Sequence, residues 1–227
     1  MRAVHPLEVV SGHLIAQIGD TRALLDTGAP LSFGNGALTL LERPVPLLDT
    51  ALAVTPEYIT GKVGTRVDAL LGTDVLGRLY FEVDCAAGTC TFDDQAGAFD
   101  GCRVPLVSML GTPVAMASIG GAEVRMVVDT GAQFGYLRDT YLQGRRSLGP
   151  RDDFHPILGD YTTEVFEVPV TLGDTTMNLV FGRMPPGVAL MIDMANADGV
   201  FGTDLFHRRR ARIALPDWEM VLSESTG

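Results

Sequence analysis

Apolar and polar positions alternate with a period of two over most of the chain, the spacing of strands that bury one face. Leu14, Ala16 and Ile18 alternate up to Gly19-Asp20, a hairpin signal, and residues 22–25 return as a second apolar run. Met116, Ser118 and Ile119, then Gly120-Gly121, then residues 124–128 repeat that arrangement. Two further strand pairs are predicted, 79–84 with 89–92 and 211–215 with 219–222. Helical spacing is scarce, with short helices expected near 57–63 and after Asp74 and Asp204. The pattern predicts an all-β protein.

Each of the two hairpins runs into the same tetrapeptide. Leu24-Leu25-Asp26-Thr27-Gly28-Ala29 returns as Val127-Val128-Asp129-Thr130-Gly131-Ala132. Chance supplies a second copy of a given tetrapeptide only about once in several hundred chains of this length. Farther on, Asp68-Ala69-Leu70-Leu71-Gly72-Thr73-Asp74 is echoed by Asp198-Gly199-Val200-Phe201-Gly202-Thr203-Asp204, in the same order within each half. Internal duplication explains both. The polar, Gly-rich residues 93–101 mark the linker, which divides the chain into residues 1–97 and 98–227.

Composition narrows the partners more than the fold. The chain has 227 residues, 46% of them hydrophobic, with a formal net charge of −11. That negative excess disfavours nucleic acid and anionic membranes. The uncharged stretch 104–122 is broken as a membrane helix by Pro105, Pro113, Gly111, Gly120 and Gly121, so it reads as strands and turns. The N-terminus shows no secretory pattern, which makes a cytoplasmic location the expectation. Cys85, Cys90 and Cys102 match neither a disulfide framework nor a zinc spacing, and no metal or cofactor is expected. His5, His13, His155 and His207 are scattered, without a serine-nucleophile elbow or a metal-binding helix motif. The basic run 207–212 reads as a solvated strand start, and Trp218 and Tyr80 as filling core or interface space.

Taken singly, Asp-Thr-Gly after an apolar run is a tight turn, since Gly permits the backbone and Thr anchors it. Two copies on duplicated halves imply more. A pseudo-twofold axis would set Asp26 opposite Asp129. Two carboxylates about 3 Å apart repel by about 5 kcal/mol at an effective dielectric near 20, so they share one proton. The singly protonated pair then holds both a base for water and an acid for a carbonyl oxygen or departing amine.

These motifs resemble the aspartic proteases of the pepsin and retropepsin superfamily. The resemblance rests on Asp26-Thr27-Gly28-Ala29, Asp129-Thr130-Gly131-Ala132, Leu70-Leu71-Gly72 and Val200-Phe201-Gly202, and it spans nearly the whole chain. It implies two retropepsin-like β-barrel lobes with short helices, fused in one polypeptide and active as a monomer on a peptide or protein. Asp26 and Asp129 would be catalytic. Thr27 and Thr130 would brace their loops by reciprocal hydrogen bonds, with Gly28, Ala29, Gly131 and Ala132 completing the support. One departure is Asp68-Ala69 where the family has Asp-Gly; another is Ala rather than a hydroxyl residue after each triplet, which leaves the dyad holding its proton to higher pH. The rival reading is a noncatalytic module that binds a peptide or protein in the former cleft.

The halves differ in one spacing. Asp26 and Gly72 are 46 residues apart and Asp129 and Gly202 are 73 apart, so the second half has 27 extra. Residues 163–171 and 175–181 are predicted to pair around Leu172-Gly173-Asp174, leaving 152–162 as a mobile covering loop with Gly159, Asp160 and Tyr161 at the substrate and Gly159-Asp160 near its tip. This places the single flap on the second half, the reverse of pepsin-like enzymes.

Overall fold

The computed structural model describes residues 1–207 and 209–223, which fold mostly into strands, as the alternation predicts. One antiparallel sheet joins the two halves of the chain. Its order is Arg2–Val10, Thr89–Asp93, Tyr80–Asp84, Arg210–Ala214, Glu219–Leu222, Cys102–Met109. Read from the middle outward, each strand has its counterpart from the other half, and Glu82 lies opposite Arg212 at the centre.

The strands that carry the repeated tetrapeptides are built alike. His13–Ile18 pairs with Arg2–Val10 and with Thr21–Leu25, which runs parallel to Ala69–Leu71. Thr112–Ile119 pairs in the same way with Cys102–Met109 and with Ala122–Val128, which runs parallel to Gly199–Phe201. Asp68 accepts from the Arg22 N–H at 2.9 Å, and Asp198 accepts from the Arg125 N–H at 2.9 Å. The departure at Ala69 therefore leaves this anchor intact. Residues 94–101 lie between Thr89–Asp93 and Cys102–Met109 without strand structure.

What fills each half differs. In the first, Phe33–Gly34 and the short hairpin Leu38–Leu40 with Arg43–Val45 lead to the helix Pro56–Val63. Thr55 caps that helix by accepting from the Tyr58 N–H, Pro56 suits its first turn and Gly64 closes it. In the second, Gly135–Leu137 is followed by three long strands, Arg146–His155, Gly159–Leu172 and Thr175–Arg183, and by the helix Pro186–Met194, which the strand-period reading missed. Three apolar clusters result: a large one through the joining sheet around Phe81, Phe92, Phe201 and Phe206, and one in each half beneath its tetrapeptide strand.

Two expectations need correction. Residues 152–162 form no loop: they are the end of one strand and the start of the next, turning only at 156–158. Leu158 N–H donates to the His155 carbonyl at 3.1 Å with Pro156 in the turn's second position, and Gly159 follows at φ 82°, the left-handed residue that returns the strand. Gly159 is thus the exit of the turn and not its tip. The basic run is not wholly solvated either. Arg212 is 4% exposed, donating to the Gln95 carbonyl at 3.4 Å and to Gly97, with its guanidinium 5.2 Å from the Tyr80 ring; Arg208 lies outside the described residues. No helix among the described residues is long and apolar enough to cross a membrane.

Candidate active site

Asp26 and Asp129 each follow a buried strand, and the tie between them is made by the residues that come next. Thr27 N–H donates to Thr130 Oγ1 at 3.0 Å and Thr130 N–H donates to Thr27 Oγ1 at 3.0 Å. Each hydroxyl passes its own proton across the boundary, Thr27 to the Val128 carbonyl at 2.6 Å and Thr130 to the Leu25 carbonyl at 2.9 Å. Both threonines are fully buried. Every donor and acceptor of this small network is satisfied by the opposite half, so neither loop keeps its shape alone.

The carboxyl groups meet above this brace. Asp26 Oδ1 accepts from the N–H groups of Gly28 and Ala29, both at 2.9 Å, and Asp129 Oδ1 accepts from the Gly131 N–H at 2.8 Å. The two side chains are close enough for each to shift the other's titration. Gly28 lies against the Asp129 carboxyl and Gly131 against that of Asp26, so closely that a Cβ on either glycine would collide with it. Glycine is needed here for close approach. Behind each loop, Thr73 N–H donates to the Ala29 carbonyl at 2.8 Å and Thr203 N–H to the Ala132 carbonyl at 2.9 Å, which ties in the second repeated motif.

Both carboxyls keep part of their surface open to a cavity, yet the protein around them removes most of their water. Burial first, then the neighbouring Asp129 charge, holds Asp26 well above the ordinary carboxylate range. Burial also raises Asp129, while hydrogen bonds from Gly131 N–H and from Asp26, together with the His155 charge, pull against it. The arrangement accepts one proton readily and two negative charges poorly.

The carboxyls sit in a cavity of about 360 Å³. Its walls are the two half-specific clusters: Leu24, Phe33, Val54, Ile59 and Leu70 on one side, Val127, Tyr136, Val188, Ile192 and Val200 on the other. The roof is the hairpin of Arg146–His155 and Gly159–Leu172, which contributes Phe154, His155, Pro156, Ile157 and Tyr161. Asp153 and Tyr161 face each other across that hairpin, and both hold one group: Tyr136 donates its hydroxyl to Asp153 Oδ2 and accepts from the Tyr161 hydroxyl at 2.9 Å. Toward the first half, Phe154 packs on the His13 ring with centroids 5.8 Å apart, and Lys62 Nζ pairs with Asp160 Oδ1 at 2.5 Å. The hairpin is therefore gripped from both sides.

The structure brings together Asp26, Thr27, Gly28, Ala29, Asp129, Thr130, Gly131 and Ala132, and it puts Tyr161 in the cavity wall. Asp160 points outward to Lys62, and Gly159 does not line the cavity. Comparison with protein-family models gives no match, and no curated protein matches the chain.

Four polar residues at the cavity were not singled out from sequence. His13 Nδ1 lies 2.8 Å from the Gly131 carbonyl, and burial lowers its basicity against that bond and the charges of Asp153 and Asp129. Burial likewise lowers His155, with Asp129 and Asp153 opposing, and raises Asp153 and the Tyr136 hydroxyl. Their one sequence signal is that Tyr136, Asp153 and His155 lie in the longer spacing of the second half.

Proposed function

We propose that the chain is an aspartic endopeptidase, two retropepsin-like lobes (residues 1–97 and 98–227) fused so that one polypeptide completes the site. The observation that supports this reading is the reciprocal Thr27 and Thr130 pairing, which brings the Asp26 and Asp129 loops together so that both carboxyls line one largely apolar cavity. A structural turn needs neither the second carboxyl nor the cavity.

In this mechanism the pair holds one proton. Either carboxyl can hold it, and the cycle is written with the proton on Asp26 and Asp129 as the base. A water between them gives its proton to Asp129 as its oxygen attacks the peptide carbonyl carbon, and Asp26 protonates the carbonyl oxygen. In the tetrahedral intermediate the proton on Asp129 passes to the nitrogen, the C–N bond breaks as a diol hydroxyl returns its proton to Asp26, and acid and amine leave with the singly protonated pair restored and no covalent enzyme intermediate formed. The apolar walls strengthen every charge interaction in these steps by excluding water.

The test is cleavage of an unfolded protein across pH, with new termini read by mass spectrometry. Asp26→Asn and Asp129→Asn should each lower kcat by about 10⁴-fold while leaving the fold intact. Because both pKa values are raised, the working form extends above the ordinary carboxylate range, and the rate falls on the alkaline side as the shared proton leaves. Specific activity should not change on dilution. Peptide binding without cleavage at any pH would favour a noncatalytic module in its place.

A further inference from the structure

The hairpin carries one polar group toward the cavity that the proposed mechanism leaves without a task. His155 is the last residue of the strand Arg146–His155, at the edge of the turn that roofs the carboxyl pair. Its Nδ1 accepts from the Ile157 N–H at 3.2 Å, which fixes the neutral ring as the tautomer with its proton on Nε2. Nε2 has no acceptor among the described residues. Two positions back on the same face, Asp153 is held by Tyr136, and Tyr136 by Tyr161, so the strand that delivers His155 is fixed on the second half. Much of the cavity that His155 lines is apolar, with Phe154, Pro156 and Ile157 of the hairpin, Leu31 and Leu52 of the first half, and Met191 of the helix Pro186–Met194 in its wall.

We propose that His155 is a substrate-contacting residue whose Nε2–H donates to a backbone carbonyl of the peptide held between the hairpin and the Asp pair. The inference rests on the dyad reading and deepens it. An extended peptide entering an apolar cavity leaves its carbonyls without water, so a donor placed above the scissile bond recovers a bond that the walls do not offer. The contact also has an electrostatic arm. The charged groups that act on His155 are Asp129 from the catalytic loop and Asp153 from its own strand, and Tyr136, Tyr161 and His13 line the same cavity. In acid, a protonated His155 beside Asp129 holds that carboxylate charged to lower pH, so His155 extends the acid limb of the rate profile.

The experiment uses a blocked peptide of Ser, Val, Leu and Phe with His155→Phe and His155→Gln, over the full pH range. His155→Phe should raise KM about tenfold, and His155→Gln, which keeps an N–H donor, should hold KM within about threefold. Both should move the acid limb toward neutral pH. An unchanged KM in His155→Phe, or an acid limb unmoved in both variants, overturns the proposal. Binding of the same peptide to the Asp129→Asn chain, with and without His155→Phe, separates the two readings. A tenfold loss there supports the contact even if Asp129→Asn still cleaves, which would sink the dyad alone; equal binding overturns the contact while leaving the dyad standing.

Discussion

The two halves of this chain share their strand pairing where the carboxyl pair is made and differ where it is covered. In both, a hairpin feeds the tetrapeptide, a parallel strand crosses behind it, and an Asp anchors that crossing through a backbone N–H. Between those points the first half places a short hairpin and a helix, and the second places three long strands and a helix. The difference teaches that symmetry and asymmetry serve separate ends. A pair of equivalent carboxyls needs equivalent loops, because each threonine satisfies the other's backbone. Under the proposed function, one peptide crossing the axis would need only one roof, and two equal hairpins would compete for the same space.

The comparison breaks first at the glycines. Gly28→Ala and Gly131→Ala each drive a methyl group into the opposite carboxyl, so both should lower kcat by about a hundredfold or more, and to the same extent. Loss in one variant and tolerance in the other, measured at one pH, would mean that the loops are not equivalent. Next come the threonines. Thr27→Val or Thr130→Val strands a buried N–H and a buried carbonyl, at about 2–4 kcal/mol each. Urea denaturation should give similar losses for the two and a double variant well short of their sum. The smallest effect sharpens the asymmetric side. Lys62→Ala frees the first half's hold on the hairpin and should raise KM about threefold at low salt, with the difference vanishing at high salt. A KM that does not move would assign the grip to Phe154 and Tyr136 alone.

The symmetric part of the molecule was legible in the sequence because duplication writes itself as repeated residues: Asp26-Thr27-Gly28-Ala29 and Asp129-Thr130-Gly131-Ala132 announce the pair without any structural input. The alternation at Leu14, Ala16 and Ile18 likewise gives the hairpin it predicts. The asymmetric part was legible only as a surplus of residues. Pro156 and Gly159 bound the hairpin turn, but Gly-Asp pairs turn the chain elsewhere, at Gly19-Asp20 and Gly173-Asp174, so Gly159-Asp160 in the sequence does not distinguish a tip from a turn's exit. His13 lies far from Tyr136, Asp153 and His155 in the chain, and nothing in their local sequence distinguishes a cavity residue from a packed one. Tertiary pairing alone brings them to the carboxyls.

The claim that the halves build a single proton-sharing unit is tested most directly by carbon NMR of the Asp side-chain carboxyls as pH is varied, with Asp26→Asn and Asp129→Asn used for assignment. One carboxyl of the pair should titrate well above the ordinary range near 3.9, and in Asp129→Asn the remaining Asp26, still raised by burial, should titrate lower than in the parent because the repulsion that added to burial is gone. Two carboxyls titrating independently near 3.9, each indifferent to loss of the other, would contradict the account.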